Sequence, residues 1–326
     1  MRTISAEFLI WVAVAFLAAA CWGAIVVLNK SVLAYVRPLF VNFLVLIVST
    51  GTLLAIAVPL SLLHLWPLGF ELTWAAARYI ALGAAVTWVI AFNAYYYALR
   101  SGRIGVVGPL SSTDPLFTAV FAALIVGTAV GALTVAGLIV TVAGVILISR
   151  FMDDAAEPHT PALHGATDTD VPASSTTVVT LALVTAAGWG FAPIMIQLAE
   201  RSTGGASTTM MVLGEALGVV LLAPFAVARR SSFAAAGPRA DSGGGPRHVV
   251  VLLVAAGVLN ATFAVLFYVL IEHIGPVLTT VIVATSPVFA ILGGMLVLKE
   301  RVGPKLALGA GVTLLGVVLA TLQRVR

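Results

Sequence analysis

At 326 residues, of which 61% are hydrophobic and only 9% charged, with a mean hydropathy of +1.12, the chain lies far outside the range of soluble domains, where about a quarter of residues carry charge. Composition alone makes it an integral membrane protein. The net charge of +4 comes from 17 basic residues scattered among short connections, which excludes a nucleic-acid partner, and the single cysteine, Cys21, excludes an intramolecular disulfide and a cysteine-based metal cluster.

A bilayer core about 30 Å thick takes roughly 20 apolar residues per helix. On that ruler the sequence predicts ten spans: Phe8–Leu28, Pro38–Leu62, Trp74–Leu99, Ile104–Val126, Ala132–Ser149, Thr177–Ala199, Ser207–Ala228, His248–Ile271, Val277–Leu298 and Pro304–Leu322. Two connections are long. Residues 151–176 form an acidic, Pro/Thr/Ser-rich loop that separates a first five-helix repeat, 1–150, from a second, 177–326, and Arg229–Arg247 is basic and rich in glycine. Ala18-Ala19-Ala20 before Cys21 faintly resembles a cleavage site, but the apolar run continues past it and Trp22-Gly23 returns as Trp189-Gly190, so no cleavage is expected.

The two halves are copies. An offset of 172 carries Tyr96 to Tyr268, Thr113 to Thr285, Pro115 to Pro287, and Gly137, Thr141 and Gly144 to Gly309, Thr313 and Gly316. Five spans per half is an odd number, so the second half must enter the bilayer upside down. The expected fold is therefore all-α, ten transmembrane helices in two inverted five-helix repeats, with a site at the repeat interface.

Several stretches in register resemble the EamA-type family of the drug/metabolite transporter superfamily: Trp22-Gly23 and Trp189-Gly190, Tyr96-Tyr97-Ala98-Leu99, Pro109 to Phe117, Ala284 to Phe289, and Leu298-Lys299-Glu300-Arg301-Val302-Gly303. The resemblance implies a carrier with a cavity built from helices 1–4 and 6–9, helices 5 and 10 lying outside it, that moves amino acids or related solutes, often outward. Two departures stand out. Thr128 matches Glu300 where the family often has paired acids, and Asp114 matches Ser286 where a small or hydroxyl residue is usual.

Only two carboxylates fall near the middle of predicted spans, Asp114 and Glu215. A charge at bilayer centre costs about 2.5–3.5 kcal/mol on insertion scales, so each should face a cavity or a partner. Either could bind a cationic group or exchange a proton, or make a structural hydrogen bond to a neighbouring helix. Asp114 is expected to share a polar stripe with Ser111 and Thr118. On helix 3, Trp88, Phe92 and Tyr96 recur every four residues, matched on helix 8 by Asn260, Ala264 and Tyr268, so an aromatic wall should face an amide and a hydroxyl. Asn93 flanks that face, Thr285 sits beside the second proline, and Tyr95 and Tyr97 suit an interfacial belt. Pro115 and Pro287 are expected hinges, since proline in a membrane helix frees carbonyls that are best satisfied beside a cavity.

No metal-ligand spacing, phosphate loop or catalytic constellation is present, so no enzyme, metal or cofactor is expected, with proton coupling an open option. The expected activity is alternating-access transport, in the export direction, of a small amphipathic metabolite across the plasma (inner) membrane. A flippase of a lipid-linked substrate and a non-enzymatic membrane scaffold are the alternatives. The partners are the lipid bilayer and a small-molecule substrate, and the glycine-spaced helices serve a monomer or a homodimer. Orientation is contested: 5 basic residues lie on the side of the termini and 12 opposite, which places the termini outside, whereas the resemblance implies inside.

Overall fold

The computed structural model describes residues 6–33, 35–63, 73–101, 104–155, 175–203, 207–229, 246–289 and 304–322. Within them the chain is helical and no strand occurs. Glu300 and its neighbours, the later part of the ninth predicted span and most of both long connections lie outside the described residues.

Two long helices open the chain, α1 (Ala6–Leu33) and α2 (Pro38–Leu62). The third span is composite: α3 (Trp74–Ala84), a π-helical stretch (Ala85–Ala91) and α4 (Phe92–Ser101). Thr73 caps α3 by accepting from the Ala76 amide at 3.1 Å. The fourth is broken into α5 (Ile104–Ser111) and α6 (Asp114–Phe121), and α6 runs on as a π-turn, Ala122–Val126. There follow α7 (Ala132–Ala155), α8 (Ser175–Thr203), α9 (Ser207–Ala228), α10 (Pro246–Ile274), α11 (Pro276–Val283) and α12 (Pro304–Leu322). Gly275, at φ 80°, makes the abrupt turn from α10 into α11 that a residue with a Cβ would resist.

Six of the described helices are long and apolar enough to cross a membrane, and four shorter apolar ones accompany them: Asp114–Val126, Ala132–Ile148, Pro276–Phe289 and Ala307–Leu322. The 172-residue offset holds at the level of elements, since Ile104–Ser111 maps onto Pro276–Val283 and the start of α7 onto the start of α12.

α7 and α12 pack on each other along their glycines. A Cβ on Gly144 would strike Thr313, and one on Gly316, the equivalent of Gly144, would strike Thr141, the equivalent of Thr313. Gly137 lies against Ala320 and Gly309 against Ile148, so the helices run antiparallel. The threonine hydroxyls turn inward to their own helices, Thr141 to the Gly137 carbonyl and Thr313 to that of Gly309, both at 2.9 Å. Thr134 adds a hydrogen bond across the seam, from its hydroxyl to the Ala320 carbonyl at 3.4 Å, and close packing does the rest.

The remaining helices enclose the interior. Near one end of the bundle, Val32, Phe40, Val41, Tyr95, Tyr96 and Leu99 of the first half bury against Val178, Ala226 and Leu253 of the second. These residues come from the last turns of α1, α4 and α9 and the first turns of α2, α8 and α10. Toward the opposite end the core opens into a cavity.

Candidate functional site

Both helix breaks are built alike. Thr113 donates its amide to the Leu110 carbonyl at 3.3 Å and its hydroxyl to the same oxygen at 2.7 Å, and Thr285 does so to Ile282 at 3.0 and 2.7 Å. Each threonine carbonyl then receives the first amide of the new helix, from Leu116 at 3.0 Å and from Val288 at 2.8 Å. Pro115 therefore stands in the first turn of a helix that restarts at Asp114, where a missing N–H costs nothing, rather than mid-helix as the sequence suggested. Thr285 is fully buried and caps the break from within, so it does not line the cavity.

What the breaks present to the cavity are the residues on either side of each threonine, Ser112 and Asp114 in the first half and their equivalents Ala284 and Ser286 in the second. The expected stripe of Ser111, Asp114 and Thr118 does not form. The turn at Ser112–Thr113 rotates Ser111 away into a buried position, and Thr118 bonds back to the Asp114 carbonyl at 3.1 Å. Asp114 occupies the first turn of α6, where its carboxyl stands at the positive end of the helix it begins.

Glu215, 1% exposed, comes from the middle of α9. Asn260 on α10 donates to its Oε1 at 3.3 Å and to Ser49 Oγ on α2 at 3.0 Å, and the neighbouring Thr50 hydroxyl, also buried, makes no hydrogen bond among the described residues. Its Oε2 has no hydrogen-bond partner among the described residues. Tyr268 lies beside it, near enough to Glu200 to feel both carboxyls.

The cavity holds about 1090 Å3 of empty space, its mouth included. It extends from the bundle centre toward Tyr79 near the start of α3, Ala199 near the end of α8 and Met210 near the start of α9. Trp22 and Trp189 floor it, edge to face at 5.2 Å between ring centroids, and Phe92 packs against both at 6.0 and 5.4 Å. Below this floor lies the buried core at the closed end.

Of the residues singled out from the sequence, Trp88, Asp114, Glu215, Asn260 and Tyr268 line the cavity. Tyr96 does not. It is 1% exposed in the core beneath, where its hydroxyl accepts from Asn29 at 3.0 Å. Asn93 lies outside the lining too; its amide donates to the Val89 carbonyl at 3.0 Å and the Trp88 carbonyl at 3.4 Å. Asn42 on α2 donates to that same Trp88 oxygen at 2.8 Å, within the π-helical stretch. Tyr95, placed in the aromatic belt from the sequence, is 3% exposed and packs on Trp189 at 4.8 Å, while Tyr97 is 38% exposed, as a belt residue would be.

A family model described as the EamA-like transporter family matches residues 9–150 and again 176–322. No curated protein matches the chain. A solved structure described only as "Crystal structure of protein" aligns over 96% of this chain and 96% of its own, with a TM-score of 0.69 and 16% identity, a likeness of fold.

Proposed function

Because the chain belongs to the EamA-like transporter family, we propose that it is a secondary transporter of the plasma membrane, exporting a small amphipathic metabolite of amino-acid size by alternating access. The observation that carries this reading is the shared cavity. It takes Asp114 from the broken helix of the first half and Glu215 from the second, and it ends on a floor made by Trp22 of one half and Trp189 of the other. Ten spans in two inverted repeats suit this activity. The antiparallel, reciprocal contact of α7 with α12 is what a pseudo-two-fold axis in the membrane plane would produce. Rocking about that axis would part the Asn29–Tyr96 end and close the Tyr79–Met210 end.

Glu215 is the better placed acid for substrate or proton recognition, since its Oε2 is unpartnered among the described residues whereas Asp114 stands at the positive end of a helix. Trp88, Asn260 and Tyr268 form walls, and the threonine-capped breaks before Pro115 and Pro287 act as hinges. The test is uptake of radiolabelled amino acids and small amines into proteoliposomes, with and without an imposed pH gradient. Saturable uptake above protein-free vesicles supports a carrier, and none for any compound returns the protein to a scaffold or a flippase.

A further inference from the structure

The charged side chains among the described lining residues are Asp114 and Glu215, both acids, and no lysine, arginine or histidine accompanies them. A free amino acid carries a carboxylate as well as an amine. In this cavity the carboxylate would face two acids in an apolar, aromatic surround, with no base to offset its desolvation. Arg78, beside the lining residue Tyr79, is exposed and lies 5.0 Å from the Tyr79 ring centroid, with a 3.3 Å bond to its hydroxyl. Of the two helix restarts beside the cavity, that of α6 carries the Asp114 carboxyl, which repels an anion, and the equivalent one carries only the neutral hydroxyl of Ser286. The other polar lining groups, Thr87, Ser112, Ser286, Asn260, Tyr268 and the Trp189 indole, are neutral, and neutral donors suit a hydroxyl or carbonyl better than a full charge.

The charged and aromatic features of the lining suit a cation. Glu215 keeps one carboxyl oxygen unpartnered although the residue is 1% exposed, and its other oxygen is fixed by Asn260. Trp22, Trp88, Phe92 and Trp189 add aromatic faces within the same space, which attract a cation and pack an apolar body. From this arrangement we infer that the ligand of the cavity is an organic monocation, an amine on an aromatic or alkyl body with no carboxylate, its nitrogen held by Glu215 and its body by the tryptophan floor.

The inference rests on the carrier reading only in taking this cavity as the substrate site. The test uses a set that shares a phenylethyl body and differs in its charged groups: phenethylamine, phenylalanine and 3-phenylpropionate. Binding to the full chain in nanodiscs is measured by calorimetry, and transport of the same three is measured in proteoliposomes. Phenethylamine should bind at least tenfold more tightly than phenylalanine, 3-phenylpropionate should not bind, and Glu215→Gln should cost phenethylamine at least tenfold while the variant still elutes as a monodisperse protein. Equal or tighter binding of phenylalanine, above all if lost in Arg78→Gln, overturns the inference by giving the carboxylate a base, and leaves the carrier reading intact. Failure of all three to bind also overturns it. Phenethylamine bound but not transported sustains the ligand class and sinks the carrier reading instead. Since wild type alone ranks the three ligands, a misfolded Glu215→Gln does not rescue a wrong inference.

Discussion

The seam between α7 and α12 permits a quantitative test. A Cβ built on Gly144 would meet the amide nitrogen and Oγ1 of Thr313 and lie 2.7 Å from its Cα, and one on Gly316 would meet the same atoms of Thr141 and lie 2.7 Å from the Gly137 carbonyl oxygen. Non-bonded carbons settle at about 3.5–4.0 Å, so each alanine must push the helices apart by roughly 1 Å. Overpacking of this kind costs about 1–3 kcal/mol. Against it stands a helix-propensity gain of up to about 1 kcal/mol for glycine to alanine. Gly144→Ala and Gly316→Ala should each melt lower than wild type in detergent, followed by intrinsic fluorescence. At Gly51 and Gly311, where nothing lies within 4 Å, alanine should be neutral or stabilising. The two seam glycines occupy equivalent places, so their losses should be similar. Parting the helices once relieves both clashes, so the double variant should lose less than the sum of the singles. A Gly144→Ala protein as stable as Gly311→Ala, or strictly additive losses, would refute the close reciprocal packing.

Tyr96→Phe removes the one hydrogen-bond partner of the Asn29 amide nitrogen, whose Oδ1 is also unpaired among the described residues. The loss should be about 1–3 kcal/mol, and adding Asn29→Leu should recover part of it in the same melting assay. Asn42→Ala strips the Trp88 carbonyl of its shorter bond, at 2.8 Å, and should lower both melting temperature and affinity for any cavity ligand, since Trp88 is itself a wall; unchanged binding would dissociate the π-helical stretch from the site. In a Cys21-free protein, cysteines placed at Thr128 and at its sequence equivalent Glu300 should react with an impermeant thiol reagent from opposite sides of the membrane. Labelling from the same side would rule out an inverted repeat.

The duplication was readable because an offset of 172 needs no structure, and it located both breaks, both prolines and the glycine seam. Side-chain direction was less readable, because periodicity arguments assume an unbroken helix of 3.6 residues per turn. The turn at Ser112–Thr113 voids that assumption for Ser111, Asp114 and Thr118, and the π-helical stretch Ala85–Ala91 voids it for the march from Trp88 to Tyr96. Trp88 and Phe92 still stack, at 4.7 Å between centroids, but Tyr96 falls into the core below. The two mid-span carboxylates were visible as costly residues. Their division of labour was not, because it depends on where a helix restarts at one of them and which neighbours surround the other. Asn29 and Asn42 carried a usable signal: an amide in an apolar helix needs a partner, and each has found one on the composite third span.

Counterflow tests the central claim most directly. Proteoliposomes preloaded with unlabelled substrate, phenethylamine first, are diluted into a trace of the labelled compound. A single cavity exposed alternately to the two sides exchanges inner for outer molecules, so label should rise transiently above equilibrium and then fall, and Glu215→Gln should abolish the overshoot. A monotonic approach to equilibrium would mean a pore, and no protein-dependent entry of any substrate in the panel would mean that the cavity does not carry solutes at all.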